Sequence, residues 1–229
     1  VGYIMNLKIN YFDNNIKIEN DYIQVIEIEN KKTFYRLVSD LYKIKNDEKL
    51  DEVFFYDDNN QEINMYNKVD LYVNFFDIDL NSKKNLNALN KNIINSLTDN
   101  VKEEILNNFK KLSRSFTKIL SDIDLPLSLN DNITVDDIIK LLKISINKTD
   151  DLLNNLLLLI DLEKVLKINE VLFFINLKQY LSQEELIEFY KYAIYNEIKI
   201  VLVDSQSYGI KLDYEKKLII DANLDEFVL

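Results

Sequence analysis

Residues 171–190, VLFFINLKQYLSQEELIEFY, followed by IKIVLVD at 198–204, decide the fold. VLFFI is an unbroken apolar run without polar alternation, the pattern of a strand buried on both faces. Ser182 with Glu185 three positions later matches a capping box, so the stretch after the strand is predicted to be helical. IKIVLV then repeats the buried-strand pattern. Strand, helix and strand in that order form a β-α-β unit, and its crossover demands a parallel sheet. In nucleotide-binding cores such units hold phosphates on a glycine-rich turn followed by Lys and Ser or Thr. This chain has only Gly2 and Gly209, and the loop after the earlier apolar run YIQVIEI (22–28) is ENKKT. With every phosphate-loop glycine missing, the fold is expected to serve as a scaffold.

At 229 residues and 47% hydrophobic composition, the chain suffices for one large or two small domains with a real core. A single proline, Pro126, no run rich in Gly, Ser and Pro, and 29% charge of mixed sign leave no flexible linker. Any second lobe is therefore joined by secondary structure. Cys, His and Trp are absent. That removes zinc sites built on thiolate or imidazole, thiol nucleophiles and histidine-based triads, and leaves oxygen-ligated cations open. No disulfide can form, as suits a reducing cytoplasm. The longest apolar runs, such as LLLLI at 156–160, are about five residues against roughly 20 for a bilayer span, so no membrane partner is expected. The opening VGYIM shows no basic-then-apolar signal pattern. Met5 is expected as the natural beginning, Val1 being either an alternative start codon read literally or a remnant of preparation.

LKINYF (7–12) and IKIE (16–19) flank Asp13-Asn14-Asn15 as a hairpin. Phe34, Leu37, Val38 and Leu41 recur at helical spacing and predict a helix from Lys31 to about Lys45. VFFY (53–56) and LYVNFF (71–76) add strands. After Leu80 the pattern is helical for nearly ninety residues: Ser82 caps a helix to about Leu97, Thr98 one to about Ser121, Thr134 one to about Ile146, and Thr149 one to about Lys167. Thr134 with Asp137 approximates a capping box. Strands return at Val171, at Ile198 and in KLIID (217–221). The expected class is α/β: a nucleotide-hydrolase-like α/β head without a phosphate loop, made from residues 1–80 with 169–229, plus an inserted all-helical leg at 81–168.

The net charge of −11 argues against a nucleic-acid binder when taken as one number, but residues 83–118 carry 8 basic and 3 acidic side chains inside an otherwise acidic chain. Such asymmetry points to one polyanion-facing surface. At about 100° per residue, Val101, Ile105, Phe109, Leu112, Phe116, Ile119 and Leu120 form one stripe of the helix from Thr98. Lys110, Lys111, Arg114 and Lys118 fill the opposite arc. In the preceding helix Lys84 and Lys91 lie opposite Leu86, Leu89, Ile93 and Leu97. Each helix is expected to bury one face and show a basic one. Phosphate attraction, independent of base sequence, is the natural use of such a strip, and a solvated lysine-rich face is the plain alternative.

The bend DIDLPLSLNDNITVDD (122–137) holds five aspartates, Asp122, Asp124, Asp131, Asp136 and Asp137. Hard cations such as calcium take six to eight oxygens, which a bent polar loop can supply, although the glycine and terminal glutamate of an EF-hand are missing. The alternative is that Asp136 and Asp137 complement a helix N-terminus and the others are solvated. Asp204 mimics a magnesium-holding acid at a strand end. Its plain reading is a solvated strand-end carboxylate.

With these segments in view, the chain resembles the short form of the spacer-acquisition accessory proteins of type II-A CRISPR systems. The likeness runs from MNLKINYF at Met5 nearly to the C-terminus, carried by VIEIENKKTFYRLVSDLY (25–42), NITVDDIIKLLKISIN (132–147) and VLFFINLKQYLSQEELIEFYKYA (171–193) leading into KIVLVD. These are apolar spacings in a set order and not a catalytic signature. The resemblance implies a head without a working phosphate site or nucleotide, a helical leg and no established enzymatic activity. It also implies a cytoplasmic, calcium-stabilised homotetrameric ring that encircles double-stranded DNA and loads at free ends. Its expected partners are the integrase pair and the RNA-guided effector nuclease of the same system. Lys140, Lys143 and Lys148 join the candidate DNA contacts, Lys140 lying in the best-matching stretch. Asp131 and Asp137 stand at matching acidic positions, while Leu127 and Leu129 replace usual carboxylates. Weaker or fewer calcium ions are therefore expected, with Asp122, Asp124 and Asp136 as substitute ligands. The competing reading is a degenerate nucleotide hydrolase or metal-dependent nuclease using Asp204; a third is a structural protein whose lysines serve solubility.

Overall fold

β1 (Met5–Ile9) and β2 (Ile16–Ile18) form the expected hairpin, burying alternate residues in a computed structural model that describes residues 4–46, 48, 52–130 and 132–229, Lys118 without its side chain. The turn between them is held by Glu226, whose carboxylate accepts the backbone N–H groups of Asp13 at 2.7 Å and Asn14 at 2.9 Å. β3 (Ile23–Ile28) is buried at every position. α1 (Lys31–Lys45) begins at Asn30 and turns Leu37 and Leu41 inward. β4 (Val53–Tyr56) and β5 (Val69–Tyr72) complete the first third of the chain. α2 (Lys83–Ser96), α3 (Asp99–Leu120), α4 (Val135–Leu141) and α5 (Leu152–Leu166) follow. The remainder is β6 (Val171–Ile175), a 3-10 turn at Leu177–Gln179, α6 (Gln183–Tyr195), β7 (Ile200–Asp204), β8 (Glu215–Ile220) and β9 (Glu226–Val228).

Two sheets result, a three-stranded antiparallel one ordered β2-β1-β4 and a six-stranded one ordered β5-β6-β7-β3-β8-β9. All neighbours in the larger sheet are parallel except β9, which runs antiparallel to β8. β3, from the start of the chain, lies between β7 and β8, from its end. Successive strand residues point to opposite faces. One face, with Ile26, Phe173, Val201 and Leu218, joins Leu37 and Leu41 of α1 and Met5, Leu7 and Phe55 of the small sheet in one core. On the other face Phe174 meets Phe189 of α6 edge-on at 5.5 Å and stacks on Tyr72 at 5.1 Å. The architecture is an α/β head built on a mostly parallel six-stranded sheet and interrupted by helices.

The chain divides into two units, Val1–Ile78 with Lys148–Leu229 and Asp79–Asn147. α5, expected in the leg, belongs to the head unit. Its LLNNLLLLID run buries Leu156, Leu159 and Ile160, and it packs on α6, where the Tyr192 hydroxyl donates to Asp161 at 2.6 Å. The helix capped by Thr134 stops at Leu141 and not near Ile146, because Lys143 takes a positive φ of 50° and the Ile146 N–H is drawn to Asn81 Oδ1 at 2.7 Å. The next cap is Asp151, which accepts from the Asn154 N–H at 2.7 Å; Thr149, expected in that role, donates instead to the Asp151 carbonyl. LYVNFF is strand only to Tyr72, since the Asn74 side chain captures the Phe76 N–H at 3.1 Å and turns the chain. β9 had no counterpart in the sequence reading.

Asp79–Asn147 has almost no interior. Among its described residues only Leu80, Asn85 and Ile139 are buried. Phe174→Ala is expected to cost about 3–5 kcal/mol in urea unfolding, the usual range for emptying a buried aromatic site. A loss below about 1 kcal/mol would mean that the face under α6 is not packed as described.

Candidate nucleic-acid interface

α3 starts at Thr98, whose backbone is extended but whose side chain makes no capping bond, leaving Asp99 to complement the first turn. At spacings of one, three and four residues, Lys110, Lys111 and Arg114 share one side of the helix. All three are exposed and, among the described residues, form no ion pair. The acids of α3, Asp99, Glu103 and Glu104, sit in its first turns, with Lys102 at 3.9 Å from Asp99. Lys110 and Arg114 border a cavity of about 250 Å³ whose other walls include Phe109, Asn130 and Ile133.

The expected burial of the opposite stripe does not occur. Ile105 and Phe109 are half-buried, while Leu112 is 55%, Phe116 51% and Ile119 60% exposed. The two-turn helix α4, which packs on α3, is too short to cover that stripe along 22 residues.

The remaining candidates are dispersed. Lys84 and Lys91 are exposed on α2, and Lys143 is exposed at its positive-φ position beyond α4. Lys140 is paired with Asp136, which holds its ammonium pKa above the usual value. Lys148 falls in the other unit and lies 3.1 Å from Asp77. Exposed pairs of this kind are weak, so a phosphate competes for either lysine at small cost. The side chain of Lys118 and all of Asp131 lie outside the described residues.

Two aspartates at the end of the bend, Asp136 and Asp137, have local roles. Asp137 closes a capping box with Thr134, accepting its N–H at 2.9 Å while its own N–H donates to the Thr134 hydroxyl at 3.2 Å. The hydroxyl and N–H of Thr134 hold the Asp137 carboxyl below the usual range. Asp136 takes Lys140, and Asp122 and Asp124 are exposed. Among the described residues no three acidic side chains gather into a group able to hold a metal ion. Asp136 and Asp137 are engaged by Lys140 and Thr134, and Asp122 and Asp124 stand free of ion pairs among the described residues.

At the position of a phosphate loop, between β3 and α1, Asn30 Oδ1 accepts the N–H groups of Lys32 and Thr33, both at 3.2 Å, and its Nδ2 donates to the Ala222 carbonyl. The donors that would cradle an anion are engaged by the chain's own side chain. Asp204, read as a solvated strand-end acid, is instead fully buried. Glu27, Lys178 and Glu215 lie beside it, with Lys217 paired to Glu27 beyond, all buried. The signal for that cluster was present as charges inside apolar strands, Glu27 in VIEI and Lys217 in EKKLII.

The model of a family described as CRISPR-associated protein (Cas_Csn2) matches residues 42–224. No curated protein matches the chain by sequence. Among solved structures, the chain is similar to Stu0660 of Streptococcus thermophilus, with 13% identity and a TM-score of 0.59 over 98% of this chain and 76% of that one. That likeness is one of fold. A nucleotide-free ATP-binding cassette from an ABC transporter is similar at 11% identity and a TM-score of 0.43, over 99% of this chain and 92% of that one.

Asn30→Ala is expected to lower stability by about 1 kcal/mol in urea unfolding, the usual cost of losing an N-cap. ATP with magnesium is expected to leave the melting temperature of both forms unchanged. An ATP-dependent rise in the wild type would show that α1 does accept a phosphate.

Proposed function

The chain belongs to the Cas_Csn2 family of CRISPR-associated proteins, and from that premise we propose that it is a non-enzymatic clamp on double-stranded DNA. In this reading it assembles as a homotetrameric ring, loads at free DNA ends without regard to base sequence, and supports the acquisition of new spacers beside the integrase pair and the RNA-guided nuclease of its system. The observation that carries the reading is the strip of Lys110, Lys111 and Arg114, exposed and without ion pairs among the described residues of a chain with net charge −11.

Charge arithmetic supports several copies acting together. α3 has 22 residues and is therefore about 33 Å long, facing about 19 phosphates at one charge per ~1.7 Å of duplex. Residues 83–118 carry a net charge of +5, so one copy falls well short and a ring of four comes to about +20, near the phosphate count. Assembly also gives the uncovered stripe of Leu112, Phe116 and Ile119 somewhere to go, because a helical unit with only three buried residues among those described gains little from its own packing. Calcium enters this reading as fewer or weaker ions than the family usually carries. Burial of Asp204 favours the clamp over a nuclease or nucleotide hydrolase built on that carboxylate. Among the described residues no helix is long and apolar enough to cross a membrane.

Linear duplex is expected to be retained stably and closed circles of the same sequence only weakly. Equal retention of both would remove threading from the mechanism. Changing Lys110, Lys111 and Arg114 together to Ala is expected to reduce the slope of log K against log salt by up to about 3 for each subunit's set of contacts. An unchanged slope would locate the DNA elsewhere.

A further inference from the structure

On the sheet face beneath α6, five ionisable groups are enclosed together. Glu27 near the end of β3 accepts Lys217 Nζ at 2.8 Å, with Lys178 Nζ at 3.4 Å. Glu215 of β8 accepts Lys178 Nζ at 2.7 Å and the Tyr190 hydroxyl of α6 at 2.9 Å. Both glutamates also hold the loop between β7 and β8. Ser207 Oγ and the Tyr208 N–H donate to Glu27 at 3.1 and 3.2 Å, and the Leu212 N–H donates to Glu215 at 3.0 Å. Lys217 Nζ closes the far side on the Ile210 carbonyl at 2.7 Å. The two glutamates and two lysines thus balance in charge and are satisfied in hydrogen bonding.

Asp204, the last residue of β7, is the fifth group. Its register partner is Glu27, so both side chains stand on the same face of the sheet. It is fully buried, and neither carboxylate oxygen has a hydrogen-bond partner of normal geometry. The groups facing it are Glu27 from β3, Glu215 from β8, Lys178 from the 3-10 turn, Tyr190 from α6 and Tyr208 from the loop, with Lys217 beyond, already shared by the glutamates. An ionised Asp204 adds one uncompensated negative charge to a buried set that is otherwise neutral.

We propose that Asp204 is a proton switch for the 205–214 loop: protonated, it leaves the cluster neutral and the loop latched across the sheet; ionised, it loosens the latch. Burial pushes the Asp204 carboxyl up to about 7, opposed by Lys178 and reinforced by Glu27 and Glu215. Because the folded value lies above the ordinary carboxylate value of 3.8, the folded head holds the extra proton between the two. Its contribution to stability is therefore greatest at the acid end and declines as pH rises through that interval, remaining at its low value above about 7.

The test combines thermal unfolding with amide exchange of residues 205–214 at pH 5.5 and pH 8, in the wild type and in Asp204→Asn, which supplies a neutral side chain of the same shape. After correction for intrinsic exchange, protection of the loop in the wild type is expected to fall by about tenfold or more between the two pH values, because most of the deprotonation falls between them. In Asp204→Asn it is expected to stay level, with a melting temperature above that of the wild type at pH 8. Equal destabilisation by the substitution at both pH values would overturn the proposal. If the variant does not fold, the wild type labelled with 13C-aspartate decides: a carboxyl resonance with a midpoint near 7 supports the switch, and titration of every aspartate at ordinary acid values refutes it.

Discussion

The insertion of β3 between β7 and β8 is the constraint on which the rest depends. Gln24–Glu27 pair with Val201–Asp204 on one side, and Ile23–Ile28 with Glu215–Ile220 on the other. A central strand with neighbours about 180 residues away in sequence commits both ends of the chain to one sheet. Closing so long a loop costs only slowly growing entropy, which is why a helical insertion of this size is tolerated within the head. The same pairing brings Glu27 beside Asp204 and above Lys217, so the buried charge cluster is a product of strand order.

The two units differ in what holds them together. The head has continuous apolar strands, stacked aromatics and cores on both faces of its sheet. The helical unit has one capping box, amphipathic helices and, among its described residues, almost nothing buried. Lys110, Lys111 and Arg114 are without ion pairs among the described residues, and acids are scarce between residues 83 and 118. An uncovered apolar stripe and an uncompensated basic strip on opposite sides of one helix call for different partners. That division is what a ring around a polyanion would use, and it follows from the helical repeat alone.

In the head a mostly parallel sheet stands beside a β3–α1 turn that carries no glycine. Asn30 engages the donors at the start of α1, and a web of lysines, glutamates and tyrosines fills the region near the end of β3. Fold is separable from function here because phosphate binding needs a particular backbone at one turn, whereas the sheet needs only its apolar pattern. A chain with two glycines cannot supply that turn and loses nothing in its core.

The elements set by local interactions were legible in the sequence. The β-α-β unit, the Lys31–Lys45 helix, the caps at Ser82, Thr134 and Ser182, and the opposed faces of α3 depend on contacts within about four residues, which spacing records. Residue types likewise marked the basic segment and the missing phosphate loop. Only the tertiary structure decided that α5 packs with the head, that β9 joins the sheet beyond β8, and that Asp204 is buried. The packing of α5 and the burial of Asp204 rest on residues tens to hundreds of positions apart, and no local pattern encodes which distant side chain completes a buried charge.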